Sequence, residues 1–268
     1  MEKSRLAVVN ALPTKTYRFL KVNETGIGIP EQAAAGQDPW DSAALPEGVT
    51  LSRLKRQEDL PEEIRTIATG MGASIDRALS EHGIPPYVLT VEEGADIDAP
   101  IVLPVSVSCG SASLSSLVIR AKAGSRLTVI ADITSDASGC AAARSFYGRS
   151  TRLYAERGAR ISLVHIERMN ASITSFDDIG GWCDENAEID LTTLALTDRS
   201  AAKGNEGNFL GTRVTLASDT SRFANRTGYY CGGQTSLDMN YVVEQRGKET
   251  ASDMIFRGVL TDHAAKTW

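Results

Sequence analysis

The side chains of this sequence best suited to covalent chemistry are four cysteines, Cys109, Cys140, Cys183 and Cys231. They lie far apart, with no Cys-x-x-Cys pair and no histidine at the spacing of a zinc ligand, so a structural zinc site is not expected. In a reducing compartment the ordinary interpretation is four free thiols, and most free cysteines behave as small buried hydrophobic residues. The presence of a cysteine is therefore not by itself evidence of a reactive thiol.

The three histidines could supply acid–base or metal-binding chemistry, but their surroundings favour structural roles. His165 alternates with Ile161 and Leu163 in a strand-like run, which places all three side chains on one face. His82 comes at the end of a predicted helix, and His263 lies in a predicted turn. We therefore assign no metal ligand from the sequence.

A catalytic Cys–His arrangement would require Cys183, His165 and Asp190 to meet in space. No local signature of such an enzyme surrounds these residues, so we assign no catalytic residue and predict that the protein is not an enzyme. The sequence also contains no Gly-x-x-x-x-Gly-Lys-Ser/Thr loop for nucleotide phosphates. Any ATP hydrolysis would therefore have to come from a partner.

Composition and charge exclude two classes of partner. A chain of 268 residues with 42% hydrophobic content can bury one sizeable core or two small ones. Its net charge of -6 and its scattered Lys and Arg residues argue against nucleic acid. The longest apolar run, residues 99–107, contains two prolines and is far shorter than the roughly 20 residues of a membrane span. Residues 1–10 lack a signal-peptide core, so we predict a cytoplasmic protein with no membrane partner.

Residues 1–86 differ in pattern from the rest and predict an irregular N-terminal segment with one amphipathic helix. Pro61 followed by two acids is a good helix start, and His82-Gly83 is a plausible stop. Apolar residues recur at helical spacing between them, which predicts a single helix of about five turns. These residues are Ile64, Ile67, Ala68, Met71, Ile75, Ala78 and Leu79.

Residues 87–268 predict a β-rich body built from repeats. A turn followed by alternating apolar residues occurs at residues 123–129 (AGSRLTV), 157–163 (RGARISL) and 185–191 (ENAEIDL). A recurrence of roughly 30 residues favours stacked coils, in which each coil covers the apolar face of its neighbour. An antiparallel sandwich is the alternative, although the Asn-Gly turns typical of hairpins are absent from the sequence.

Residues 228–241 (GYYCGGQTSLDMNY), 242–250 (VVEQRGKET) and 251–260 (ASDMIFRGVL) resemble the core of the SufB/SufD family. The resemblance extends back to about residue 87, and residues 12–23 are similar to the start of SufD-like chains. It implies a right-handed parallel β-helix and a scaffold for iron–sulfur cluster assembly. The implied partners are a SufC-type ATPase and a SufB- or SufD-type paralogue. A cluster is expected in the complex, with no cofactor bound by the isolated chain.

Family members continue beyond the position of Trp268 through further coils and a helical segment that docks the ATPase. We therefore expect a truncated or shortened relative, lacking that C-terminal part. Because a solenoid end exposes unpaired backbone and apolar side chains, we predict a homodimer or hetero-complex formed near residues 253–268. A structural interaction solenoid without cluster chemistry remains the alternative function.

Residues 181–188 (GWCDENAE) resemble the stretch of SufB in which a cysteine receives sulfur from a partner. The resemblance makes Cys183 a candidate sulfur acceptor, because a thiolate can attack a persulfide and hold the transferred sulfur. The adjacent Asp184 and Glu185 would raise the pKa of the thiol and reduce the thiolate fraction. A buried structural thiol is the competing interpretation.

Overall fold

The computed structural model describes residues 4–14, 23–36, 40, 44–135, 145–169, 173–197, 207–233, 235–261 and 265–267. Cys140 and His263 lie outside these residues, as does most of the stretch at residues 12–23. The strands of the N-terminal segment are β1 (Ser4–Val9), β2 (Thr25–Pro30), β3 (Ala34–Ala35) and β4 (Val49–Arg53). A 3-10 turn (Gln57–Asp59) and helices α1 (Glu62–Arg65) and α2 (Ala73–Glu81) follow.

The body consists of strands that succeed one another without a described helix. They are β5 (Tyr87–Val91), β6 (Ile101–Val107), β7 (Ala112–Ala121), β8 (Arg126–Ser135), β9 (Ser145–Ala155), β10 (Arg160–Met169), β11 (Ile173–Cys183), β12 (Glu188–Thr197), β13 (Asn208–Leu216), β14 (Arg222–Cys231), β15 (Ser236–Gln245), β16 (Ala251–Leu260) and β17 (Ala265–Thr267).

Successive strands of the body alternate between two sheets. One sheet has the order β16-β14-β12-β10-β8-β6, and the other has the order β17-β15-β13-β11-β9-β7-β5-β4. In the second sheet β3 also pairs with β7, which makes nine strands. Each strand from β5 to β15 pairs in parallel with the next strand but one along the chain. This pattern is a two-sheeted β-solenoid, which confirms the predicted fold class and excludes the antiparallel sandwich.

The register of the six-stranded sheet confirms the sequence repeats. Ile161 of β10 is the partner of Leu127 in β8 and of Ile189 in β12. These residues occupy equivalent positions in the three predicted repeats, and their side chains are buried. The repeated pattern therefore marks the same place in successive coils.

The turns that join the two sheets stack on one another. Gly124 and Gly158 have positive φ angles of 67° and 71°, and Asn186 and Thr220 adopt the same left-handed conformation at 56° and 60°. The amide of each donates to a carbonyl in the turn of the next coil, for example Gly158 N to Glu185 O at 2.9 Å. The left-handed residue reverses the chain direction, and glycine tolerates that conformation best.

The N-terminal segment covers the outer face of the nine-stranded sheet, and here the prediction of one continuous helix was wrong. The chain is helical only in α1 and α2, and residues 66–72 between them are not helical. Thr69 forms an antiparallel bridge with Gly180, and the Gly70 amide donates to Ile179 O at 3.1 Å. Hydrogen bonds to the sheet replace those of the helix, so Ile67 and Met71 are buried against β-strands instead.

The expectation of four free thiols was also wrong. Cys183 and Cys231 are buried and form no disulfide, but Cys109 is disulfide-bonded. No helix in the described ranges is long and apolar enough to cross a membrane.

Candidate functional site

A cluster of ionisable side chains lies inside the solenoid, between the two sheets. Alternation along β10 directs Leu163, His165 and Glu167 inward, where all three are buried. Asp177 points inward from β11 in the opposite sheet. His165 Nε2 lies 3.2 Å from Glu167 Oε1, and His165 Nδ1 lies 3.0 Å from Asp177 Oδ2. One donor atom from each residue lies within 4.8 Å of the others, so a single ion could contact all three.

The polar atoms of this cluster are poorly satisfied. Both ring nitrogens of His165, Oε1 of Glu167 and both carboxylate oxygens of Asp177 are buried, and none makes a hydrogen bond of ordinary geometry with the described residues. Burial by itself lowers the pKa of His165, but the charge of Asp177 and the contacts with Glu167 raise it to about 9. The two carboxylates therefore raise the pKa of the imidazole, although neither is well aligned with a ring nitrogen for a hydrogen bond.

Other polar side chains extend this site along the interior. Thr193 of β12 and Thr227 of β14 follow His165 in register across the six-stranded sheet. The hydroxyl of Tyr241, from the opposite sheet, lies 3.0 Å from Thr227 Oγ1. Burial raises the pKa of Tyr241 to about 12, so its hydroxyl stays protonated at neutral pH. The middle of the solenoid interior is therefore polar, unlike the apolar rows beside the stacked turns.

Arg149 of β9 is a second buried charge in the interior. Its side chain is fully buried, and its Nε donates to Thr151 Oγ1 at 3.1 Å. The guanidinium carbon lies 5.7 Å from the centre of the Trp40 ring, and neither terminal nitrogen makes a hydrogen bond within the described residues. This guanidinium is therefore stabilised by the aromatic ring rather than by a carboxylate.

Cys183 lies at the far end of β11 in the apolar part of the core. It is fully buried, and its thiol faces Arg222 O at 3.8 Å. Burial raises the pKa of Cys183 well above its usual range, and the charges of Asp184 and Glu188 raise it further. The thiol is therefore protonated in the folded chain, chiefly because it is buried; of the two adjacent acids expected to raise its pKa, Asp184 contributes. Its role as a sulfur acceptor stays a prediction.

The structure does not assemble a Cys183–His165–Asp190 arrangement. Cys183 is six residues along β11 from Asp177, which separates it from the His165 cluster by about 20 Å at the rise of a β-strand. Asp190 points away from the core, where its carboxylate is 3.9 Å from Arg226. The three side chains therefore belong to different environments.

Sequence reasoning placed His165 correctly on the inward face with Ile161 and Leu163 but missed Glu167 and Asp177. The signal for Glu167 was available, because an acid two residues after His165 must share its face. No comparable signal existed for Asp177, which comes from the opposite sheet.

Strand β16 forms an exposed end of the six-stranded sheet. Nearly all of its side chains are exposed, in contrast to the buried alternation of β10 and β12. Met254, Ile255, Val259 and Leu260 are between 39% and 54% exposed, and all four are apolar. One edge of the strand pairs with β14, and no described strand pairs with the other edge.

The two alternating sheets and the polar interior define this chain as a parallel β-solenoid protein. Residues 105–268 match the model of a family described as SUF system FeS cluster assembly, SufBD core domain. The match covers more than half of the chain, from within β6 through every later strand, and the chain belongs to this family. Family membership links it to iron–sulfur cluster assembly by the SUF system. A search of curated proteins found no match.

Proposed function

We propose that this chain is a cytoplasmic scaffold subunit of a SUF-type assembly complex, acting with a SufC-type ATPase and a SufB- or SufD-type partner. The observation that carries the proposal is the family match over the whole later part of the solenoid, residues 105–268. The chain would hold partners and the iron–sulfur cargo in place rather than turn over a substrate. The absence of a phosphate-binding loop from the sequence supports a partner as the source of ATP hydrolysis.

Among the described residues no strand pairs with the outer edge of β16, and an unpaired sheet edge is a template for another strand. We propose that the solenoid of the paralogue adds its own coil to this edge. Met254 is in register with the buried Asn225, so its side chain faces the interior and would become covered. A second copy of this chain could occupy the same edge, which makes a homodimer the competing outcome.

Cys183 is retained as the candidate sulfur acceptor on its resemblance to SufB. Its burial means that a donor persulfide would need access to the core, and its raised pKa disfavours the thiolate required for attack. The scaffold role does not depend on this residue. A structural solenoid without cluster chemistry is the alternative, and it predicts the same docking surface but no bound cluster.

Co-expression of this chain with a SufC-type ATPase and a SufB-type paralogue tests the proposal. We expect a stable complex by size-exclusion chromatography with light scattering, and an iron–sulfur absorbance band after anaerobic reconstitution. A complex without that band would favour the structural alternative, and the absence of any complex would contradict the scaffold role.

Substitution of Met254 with lysine tests the docking surface. An inward-facing charge on an edge strand opposes strand addition, so Met254→Lys should weaken the complex at least about tenfold. Val102→Lys controls for a lysine that does not face the interior, because Val102 is 52% exposed on the outward face of β6, the strand at the opposite edge of the same sheet. Equal loss in both variants, or in neither, would place the interface elsewhere.

A further inference from the structure

The two carboxylates of the cluster of His165, Glu167 and Asp177 have no ion pair with a described lysine or arginine. No lysine or arginine nitrogen of the described residues lies within 4.0 Å of either carboxylate. Arg149, the nearby buried cation of β9, contacts Thr151 and the Trp40 ring instead. Even with the imidazole protonated, the three side chains of the cluster carry one net negative charge, and Arg149 forms no ion pair with them. A buried carboxylate without an ion pair or a hydrogen bond is strongly unfavourable.

A divalent cation would remove this imbalance. Two carboxylates and one neutral imidazole sum to a charge of minus two, which a divalent ion neutralises. The ion would also use the lone pairs of Glu167 and Asp177 that lack hydrogen bonds. One imidazole nitrogen would bind the ion, and the other would keep its contact with a carboxylate, an arrangement common around metal-bound histidines.

The spacing of the donor atoms fits such an ion. Ligand atoms about 2.0–2.2 Å from a metal are about 2.8–3.6 Å from one another in tetrahedral geometry or at adjacent octahedral positions. Whichever imidazole nitrogen binds the ion, its contact with a carboxylate oxygen lies within that range, at 3.2 Å for Nε2 and Glu167 or 3.0 Å for Nδ1 and Asp177. One donor atom from each of the three residues lies within 4.8 Å of the others. Imidazole and carboxylate oxygens favour Fe²⁺, Mn²⁺ and Zn²⁺ over soft ions such as Cu⁺.

We propose that His165, Glu167 and Asp177 form a binding site for one divalent first-row transition-metal ion inside the solenoid. Thr193, in register with His165 on β12, has a buried hydroxyl without a hydrogen bond among the described residues and is placed to contact a water on the ion. The site goes beyond the proposed scaffold function, because it lies within one chain and needs no partner. Failure of complex formation would not affect it.

Cobalt binding tests the site with a spectroscopic probe. The full chain would be expressed with added Co²⁺, because the site is closed in the folded protein, and its metal content measured after purification without chelators. We expect about one Co²⁺ per chain and a visible spectrum of nitrogen and oxygen ligands. A thiolate-to-cobalt band would instead assign the ion to Cys183 or Cys231 and overturn the proposal, as would the absence of bound Co²⁺.

Near-isosteric variants identify the ligands. Glu167→Gln and Asp177→Asn should each lower Co²⁺ affinity at least about tenfold. Asp178→Asn is the matched control, because Asp178 is the next residue of β11 and equally buried, but accepts a hydrogen bond from Met71 N on the opposite face. Equal Co²⁺ binding by all three variants would overturn the assignment. If a variant does not fold, the stoichiometry and spectrum of the unmodified chain still decide the proposal.

Discussion

Replacing Gly211 with alanine tests how the N-terminal segment is held against the solenoid. Gly211 lies in β13, where a Cβ atom would be 2.5 Å from Met71 Cγ, 2.7 Å from Asn10 Oδ1 and 2.8 Å from Met71 N. Alanine can adopt the backbone conformation at this position, since φ there is not in the left-handed range. The substitution therefore changes the contact with the N-terminal segment and little else.

The size of the effect follows from these distances. Restoring a separation of 3.4 Å requires the contacting atoms to move by roughly 0.6–0.9 Å. Overpacking of this kind destabilises by about 1–3 kcal/mol. Weakening the hydrogen bond from Met71 N to Asp178 Oδ1 adds about 0.5–1.5 kcal/mol, whereas alanine in place of a strand glycine recovers about 0.5–1 kcal/mol. We expect a net loss of about 2 kcal/mol in the free energy of unfolding.

Urea unfolding measures this loss, and hydrogen exchange locates it. The amides of Gly70 and Met71 bond to Ile179 O and Asp178 Oδ1, so their protection should fall in Gly211→Ala. The control is Gly228→Ala in β14, where the added Cβ approaches only the flexible end of Leu194, a side chain 38% exposed. The control should retain full stability. Unchanged stability and protection in Gly211→Ala would refute the close docking of this segment on β13.

Two further predictions concern ionisable groups. Burial raises the pKa of Asp238, although the hydrogen bond from Asn10 lowers it, so the folded state binds this proton more tightly than the unfolded state. The free energy of unfolding therefore falls as the pH rises through the pKa of Asp238 in the folded state. Because asparagine does not ionise, Asp238→Asn should gain stability relative to the unmodified chain from about pH 4 upward. A pH-independent difference in urea unfolding would contradict this. Cys183 should not react with a thiol reagent such as DTNB in the native protein but should react after denaturation. The difference between the unmodified chain and Cys183→Ala gives the reaction of this thiol. Rapid native reaction would reveal access to the thiol and favour the sulfur-acceptor role.

Local patterns in the sequence were enough to predict the coil and the residues on its inward faces. Apolar and polar residues alternate in segments that recur about every 30 residues, around Leu127, Ile161 and Ile189. This pattern predicted stacked strands, and the register confirms them. It also placed His165 inside. These features are local, because side-chain direction in a strand alternates with a period of two regardless of what lies opposite.

Which residues meet in space depends on the long-range contacts of the folded chain. Asp177 reaches His165 because the chain passes from one sheet to the other between β10 and β11, and no period in the sequence records that juxtaposition. The helix predicted across residues 66–72 is broken because Met71 bonds to Asp178, 107 residues away, which helical periodicity cannot report. At residues 66–72, long-range hydrogen bonds to the sheet outweigh the local preference for a helix, because they give buried backbone groups their partners.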